Sequence, residues 1–192
     1  YLKRNHKLFW LCDFHDAWTN VWYYDELMKT SMAKNIDAKM ELSVLKEADR
    51  IITVGEQIMQ DFALKLGSTS KVSLHSMGYD DDVFSKPIDI PENEFVITYT
   101  GTMASNYEPD VFFKAVKELL DAKPEMTLRV DLFGLIADKI KDTIAQLNLE
   151  GIVSFKGYVS HHKAVEALMS SCMLLLVNPN TVQAKMIIPG KI

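Results

Sequence analysis

Apolar runs rich in β-branched residues alternate along this chain with segments whose apolar side chains recur every three or four positions. The runs predict buried β-strands, and the spaced segments predict amphipathic helices between them. The strands predicted in chain order are Leu8–Cys12, Arg50–Val54, Val72–Leu74, Phe95–Thr100, Leu128–Phe133, Val153–Phe155 and Cys172–Val177.

Helices are predicted between most of these strands. The longest begins at about Asp25 and carries a run of spaced apolar residues, namely Leu27, Met28, Met32, Ile36, Met40, Val44 and Leu45. Shorter helices follow Gly55, Pro109, Gly134 and Ser160. Single helices between strands predict right-handed βαβ units, and therefore parallel sheets.

The alternation stops between residues 79 and 94. This segment has an acidic run at Asp80–Asp82, two prolines at Pro87 and Pro91, and no sustained period, which predicts a linker. We therefore expect two domains, at residues 1–78 and 95–192, joined by a linker at residues 79–94. Each has fewer strands than the roughly six of a complete doubly wound domain. The predicted fold class is α/β, with both domains incomplete.

The amino-acid composition excludes several classes of protein. The 192 residues are 48% hydrophobic and 24% charged, which excludes disordered, collagen-like and disulfide-rich classes. With 21 basic and 26 acidic residues the net charge is -5, and no basic cluster suggests a nucleic-acid partner. Cys12 and Cys172 lie in separate apolar runs, which is typical of buried cysteines in a reducing compartment. No apolar stretch approaches the roughly 20 residues of a membrane-spanning helix, so we expect a cytoplasmic protein.

The loops that follow the predicted strands of the second domain are candidate binding segments. Open parallel sheets bind ligands there, beside helix N-termini. Gly101 lets a ligand approach the backbone closely, and Thr102, Ser105 and Asn106 offer hydrogen bonds. An ordinary strand-to-helix turn stays open as the alternative, because no GxGxxG pattern is present. The candidate loops are Gly101–Tyr107, the turn at Gly134, Gly157–Ser160 and Asn178–Lys191.

A second polar cluster, Asp13, His15 and Asp16, follows the first predicted strand. A carboxylate beside an imidazole can orient it for proton transfer, which suits acid–base chemistry. A loop histidine that makes structural hydrogen bonds is the alternative explanation. The sequence contains no HExxH, GxSxG or P-loop motif and no metal-ligand spacing, so no metal site is expected.

A set of short segments, together with Glu41, carries a resemblance to a known family. They read EADRIITVGE at residues 47–56, HSMGYD at 75–80 with Phe84, YTGTM at 99–103, FG at 133–134, FKGYV at 155–159 and PGKI at 189–192. In this order they resemble the motifs of the group 1 (family 4) glycosyltransferases. The resemblance covers nearly the whole chain.

The resemblance implies the GT-B fold, in which two Rossmann-like domains face each other and catalysis takes place in the cleft between them. Residues 1–78 would be the C-terminal part of the acceptor-side domain. Residues 95–192 would be the donor-binding domain, truncated at its C-terminal end, with the nucleotide base against the turn at residues 157–159. The implied donor-binding residues are Gly101, Thr102, Asn106, Gly134, Tyr158, Val159 and Lys191.

The implied activity is transfer of a sugar from a nucleotide-sugar donor to a hydroxyl of a glycan or glycolipid acceptor. Retention of configuration and a role in cell-surface polysaccharide or glycolipid synthesis are expected with it. The nucleotide sugar is a substrate, so no cofactor and no bound metal are expected. The catalytic residues stay unassigned, with Asp13, His15 and Asp16 as weak candidates. A cytoplasmic location is expected, and peripheral association with the inner face of the membrane is left open.

The chain also departs from the family pattern. The loop Thr102–Tyr107 lacks the Arg and Lys that the family often uses to hold the diphosphate. The family's paired glutamates are expected just beyond Ile192 and its usual catalytic histidine before Tyr1, so the chain alone is expected to lack turnover. A sugar-nucleotide epimerase of the same architecture and a non-catalytic nucleotide-sugar-binding subunit therefore stay open as alternatives.

Overall fold

The computed structural model describes residues 2–21, 23–84, 88–179 and 184. They divide into two compact units: the first comprises residues 2–21, 23–78 and 184, and the second comprises residues 79–84 and 88–179. Each unit is built around a parallel β-sheet with helices between its strands, which confirms the predicted α/β class. The sheets have three and four strands within the described residues, fewer than the roughly six of a complete doubly wound domain.

The first unit has a three-stranded sheet in the order β1-β2-β3, all parallel. Its strands are β1 (Leu11–Phe14), β2 (Arg50–Thr53) and β3 (Val72–Leu74). Its α-helices are α1 (Leu2–His6), α2 (Ser31–Glu47) and α3 (Glu56–Leu66). Gly67 ends α3 in the left-handed conformation, with φ +68°, as expected for a glycine C-cap.

The core of the first unit lies between the sheet and the helices α2 and α3. Leu45, Ile51, Ile58 and Phe62 are each no more than 1% exposed. The Phe62 ring meets Phe14 edge-on, with 4.8 Å between ring centroids. Burying each of these side chains contributes about 1.5–3 kcal/mol relative to leaving it exposed.

The first strand lies further along the chain than predicted. β1 covers Leu11–Phe14 instead of Leu8–Cys12, and the side chains of Leu8 and Phe9 are at least half exposed. The register with β2 explains the shift, because parallel pairing starts at Leu11, opposite Arg50. Apolar character alone does not fix where such pairing begins.

The long helix also begins later than predicted. A 3₁₀ helix at Asp25–Leu27 is ended by Met28, whose left-handed φ of 49° stops any continuation. α2 then starts at Ser31, capped by Thr30 Oγ1, which accepts from Ala33 N.

The apolar stripe of α2 faces solvent instead of the core of the unit. Met32, Ile36 and Met40, which we call the α2 stripe, are 74%, 48% and 50% exposed, whereas Glu41 and Leu45 are buried. No helix in the described residues combines the length and apolar character needed to cross a bilayer.

The second unit has a four-stranded sheet in the order β6-β5-β4-β7, again all parallel. Its strands are β4 (Phe95–Thr100), β5 (Leu128–Phe133), β6 (Val153–Gly157) and β7 (Met173–Leu174). Its α-helices are α4 (Asp110–Ala122), α5 (Asp138–Gln146) and α6 (His161–Met169). A 3₁₀ helix at Asp81–Phe84 lies inside the predicted linker segment.

The last strand is shorter than predicted. β7 covers Met173–Leu174 instead of Cys172–Val177, because only these two residues pair in register with β4, opposite Ile97 and Thr98. β6, in contrast, runs two residues further than predicted and ends at Gly157.

The second unit's core lies between one face of the sheet and the helices α4 and α5. Tyr99, Phe113, Leu132, Ile140 and Ile144 are no more than 1% exposed. This core holds the carboxyl ends of β4 and β5 side by side.

Asp49, at the junction of α2 and β2, ties the start of β1 to the rest of the first unit. Its carboxylate accepts from Trp10 N (2.8 Å) and pairs with Lys3 Nζ (2.7 Å), while Asp49 N donates to Trp10 O (2.9 Å). The hydrogen bond from Lys3, followed by that from Trp10, lowers the pKa of Asp49 below its ordinary value. A lowered folded-state pKa stabilises the fold at pH values above the unfolded pKa of about 3.9.

We expect Asp49→Asn to weaken the acid dependence of the first unit's stability. In the wild type, the contribution of Asp49 is lost as the pH falls through its folded-state pKa, whereas asparagine cannot titrate. Urea unfolding between pH 6 and 2, followed by tryptophan fluorescence, measures this, because all three tryptophans precede residue 23. Asp142→Asn, at an exposed helical position, is the control. Equal pH slopes for the Asp49→Asn variant and the wild type would contradict the assignment.

Candidate functional site

Three glycines end three neighbouring strands of the second unit. Gly101 follows β4, Gly134 follows β5, and Gly157 is the last residue of β6. Their φ values are +124°, +103° and +64°, a region that other residues enter only with strain. Because β6, β5 and β4 are adjacent and parallel, the three turns lie at one edge of the sheet, which we call the glycine edge.

Hydrogen bonds continue across the glycine edge beyond the regular strands. Gly101 N donates to Phe133 O at 2.9 Å, and Gly134 N donates to Gly157 O at 2.7 Å. One step further, Met103 N donates to Leu135 O at 2.8 Å. The turns are therefore held to one another by the same bonds that hold the sheet.

The turns at Gly101 and Gly134 approach too closely for a side chain at Gly134. A Cβ atom built on Gly134 would lie 2.3 Å from Gly101 O and 2.8 Å from Gly101 C. Both are backbone atoms that cannot rotate away. Gly157 has the positive φ without this contact, and Gly151 has neither feature.

Buried side chains fix the loop that follows Gly101. Met103 is fully buried and pairs as an isolated parallel bridge with Ile136, which is 7% exposed. The Tyr99 hydroxyl donates to Thr102 O at 2.8 Å, and burial raises the pKa of Tyr99 above its ordinary value, which keeps the phenol a donor. The backbone of the loop is thus set by residues inside the core.

Several side chains at the glycine edge remain accessible to a ligand. Thr102 is exposed, as are Leu135 (58%) and Tyr158 (78%), and Val159 is half-buried. Asn106 is also half-buried, with its Oδ1 shielded from solvent. The accessible surface combines a hydroxyl with apolar and aromatic groups.

Helix N-termini supply positive potential at the glycine edge. α4, α5 and α6 all begin after its turns, and an α-helix N-terminus attracts anions. Asp110 and Asp138 partly offset this in the first turns of α4 and α5, and a hydrogen bond from Lys141 lowers the pKa of Asp138. α6 has no acidic residue in its first turn, and Ser160 caps it. The arrangement suits a phosphate-bearing ligand.

The first unit brings together two of its three sequence-predicted candidates. Asp13 lies inside β1 instead of after it, and His15 comes directly after the strand. His15 Nε2 lies 3.4 Å from Asp13 Oδ2, with both side chains more than half exposed. Alternation along an extended chain explains the contact, because residues two apart point to the same side. Asp16 is exposed in the loop that follows.

The predicted donor residues share one edge of the second unit as far as the structure describes them. Gly101, Thr102 and Asn106 lie in the loop after β4, Gly134 in the turn after β5, and Tyr158 and Val159 after β6. Lys191 lies outside the described residues. Tyr99, Met103 and Ile136, which position the loop, are not predicted as site residues, because their spacing shows only a strand and two loops.

Comparison with known proteins assigns the chain to a family. The model of the family described as Glycosyl transferases group 1 matches residues 80–181, which is more than half of the chain. The chain belongs to this family. The matched segment includes the whole glycine edge, and the resemblance drawn from the sequence motifs is confirmed. No curated protein matches the chain at a significant level.

Solved structures share the fold at low sequence identity. Sucrose-phosphate synthase of Thermosynechococcus elongatus aligns with a TM-score of 0.64 at 16% identity, covering 90% of this chain and 45% of its own. HepE of Anabaena in complex with UDP aligns with a TM-score of 0.64 at 14% identity, covering 90% and 47%. TarM of S. aureus, in complex with fondaparinux, alpha-GlcNAc-glycerol and UDP, aligns with a TM-score of 0.56 at 15% identity, covering 85% and 31%.

These similarities confirm the predicted GT-B fold, with two Rossmann-like parts. The chain spans less than half of the length of each of the three proteins.

A glycine series tests the close approach at the glycine edge. We expect Gly134→Ala to destabilise the second unit most, because left-handed strain of about 1–2 kcal/mol is added to a backbone clash. Gly157→Ala should show the strain alone, and Gly151→Ala should be nearly neutral. Urea unfolding followed by far-ultraviolet circular dichroism measures the order. A Gly134→Ala variant as stable as Gly157→Ala would contradict the clash.

Proposed function

We propose that the chain belongs to a nucleotide-sugar-dependent glycosyltransferase, and that its second unit holds the nucleotide sugar at the glycine edge. The observation that carries this is the coincidence of the family match, residues 80–181, with three glycine turns and three helix N-termini at one sheet edge. HepE is described in complexes with UDP and with UDP-glucose, which supports a sugar nucleotide as the ligand.

The donor diphosphate would lie over the loop after β4. Backbone amides beyond Gly101, the Thr102 hydroxyl and Asn106 are the proposed contacts, with Lys191 as an added cation. The turn at Gly134 keeps the neighbouring backbone close and leaves the approach free of a side chain. Helix N-termini would then offset the negative charge in place of a bound metal.

In the transfer step, the acceptor hydroxyl oxygen bonds to the anomeric carbon of the sugar while the bond from that carbon to the diphosphate breaks. The nucleoside diphosphate leaves with the electron pair, and the acceptor proton passes to a base. Positive potential at helix N-termini stabilises the negative charge that develops on the leaving diphosphate. His15, beside Asp13, is a candidate for handling the proton, and retention of configuration is proposed from the family resemblance.

The proposed acceptor is a glycan or glycolipid of the cell surface, and a cytoplasmic location is proposed with it. Peripheral contact with a membrane is proposed as well, and the exposed α2 stripe supports it. Sedimentation with phospholipid vesicles tests that contact, and a protein left wholly in the supernatant contradicts it.

A non-catalytic nucleotide-sugar-binding subunit is the second candidate. The loop at residues 101–107 contains no Arg or Lys, although this loop is proposed to hold the diphosphate. Incubating the intact protein with UDP-glucose, GDP-mannose and ADP-glucose and an alkyl glucoside separates the two. Transfer of sugar supports the enzyme, and nucleotide binding with neither transfer nor hydrolysis supports the subunit.

Tyr158→Ala tests the proposed base-binding turn. If the exposed Tyr158 ring covers the base, affinity for the nucleotide should fall about two- to tenfold, since an aromatic contact contributes about 0.5–1.5 kcal/mol. The Tm should stay unchanged, because the ring is 78% exposed. Calorimetric titration with UDP, GDP and ADP measures the affinity.

Tyr79→Ala, which removes a ring that is 75% exposed in the same unit, is the matched control. A lower Tm with unchanged affinity in Tyr158→Ala would mean that the base binds elsewhere.

A further inference from the structure

A charge cluster around the buried Glu41 of the first unit has no part in the proposed donor site. Glu41, in the middle of α2, is 1% exposed, and its Oε2 lies 2.9 Å from Lys65 Nζ of α3. Lys65 Nζ also lies 2.7 Å from Asp61 Oδ2, one helical turn earlier. Desolvating such charges is costly, and apolar residues could fill the same volume. A stabilising role alone therefore explains the cluster poorly.

The cluster holds the loop at residues 15–21, which follows β1. Thr19 Oγ1 donates to Glu41 Oε2 at 2.6 Å, and Thr19 N donates to Glu41 Oε1 at 3.3 Å. Lys65 Nζ donates to Thr19 Oγ1 at 3.2 Å, and Asn20 Nδ2 donates to Asp61 Oδ1 at 3.4 Å. Two helices thus converge on two consecutive loop residues, through bonds that require a fixed direction.

The loop leaves the carboxyl end of β1, where open parallel sheets bind ligands. It starts with His15 and Asp16, which are both exposed, and His15 contacts Asp13 of the strand. The hydrogen bonds of Thr19, four residues after His15, limit how far these polar groups can move from the end of the strand.

We infer that Glu41, Lys65 and Thr19 form a positioning cluster that sets the loop at residues 15–21 for the sugar acceptor. Glu41 and Lys65 act through Thr19, and they do not touch the substrate. This inference rests on the proposed function, because it assigns the acceptor side of the same reaction to the first unit.

A substitution at Thr19 can remove the hydrogen bonds to the loop while the ion pair between Glu41 and Lys65 stays intact. Thr19→Val keeps the shape and removes the hydroxyl, and Thr19→Ser restores it. Thr143→Val, which removes a hydroxyl that donates to Lys139 O in the second unit, is the control. Glu41 itself is left in place, since removing this buried partner of Lys65 would disturb the packing between α2 and α3 as well as the loop.

The experiment measures transfer of sugar to octyl β-glucoside by the intact protein below its Tm. The donor is whichever of UDP-glucose, GDP-mannose and ADP-glucose the wild type uses fastest. Thr19→Val should raise the acceptor KM about tenfold and leave the donor KM unchanged, and amide exchange at residues 15–21 should become faster. Thr19→Ser and Thr143→Val should match the wild type. A purely structural role would lower kcat through loss of folded protein without moving the acceptor KM.

An unchanged acceptor KM in an active Thr19→Val variant overturns the inference, and so does unchanged amide exchange. Absence of transfer by the wild type contradicts the proposed function instead, and the inference falls with it.

Discussion

The second unit depends on hydrogen bonding that continues past the ends of its parallel strands. Gly101 N bonds to Phe133 O and Gly134 N to Gly157 O, so the sheet ladder extends into the turns. Two backbones can come this close only where one residue has no side chain, as the 2.3 Å from a Cβ on Gly134 to Gly101 O shows. The turns become rigid, and the helices that follow start from fixed points. Preorganised amides of this kind need no rearrangement when an anion arrives.

The first unit orders its loops differently. The loop after β1 contains no glycine, and it is held through the side chains of Glu41 and Lys65. Backbone bonds, together with the buried side chains of Tyr99 and Met103, set the geometry of the glycine edge. Side-chain bonds make the loop of the first unit sensitive to single substitutions. The two units therefore preorganise their surfaces at different free-energy cost. In the first unit, the cost includes desolvation of the Glu41 charge.

Much of the fold follows from the sequence, because strand cores and glycine turns are local signals. The runs at Phe95–Thr100 and Leu128–Phe133 are strands with the predicted bounds. The position of β1 depends on pairing with β2, which begins beyond Trp10, so the apolar run from Leu8 misplaces it. Similarly, the spacing of Met32, Ile36 and Met40 marks a helix but not the face that it buries.

The candidate site could be predicted only in part. Gly101 and Gly134 stand out because strands end there, whereas the bonds from Tyr99 to Thr102 O and from Thr19 to Glu41 depend on loop conformations that no spacing encodes. Asp13 and His15 are predicted as a cluster because they are close in sequence, and their contact follows from the extended chain. The partners of Glu41 lie 22 and 24 residues away, beyond any local pattern.

The central claim is that the glycine edge of the second unit binds a donor nucleotide. Hydrogen–deuterium exchange of the protein with and without UDP, GDP or ADP tests it most directly. The account predicts that one of these nucleotides slows exchange at residues 101–107, 134–137 and 157–160 while the amides of β1 to β3 stay unchanged. Protection elsewhere, or none at these three turns with any of the nucleotides, would contradict it.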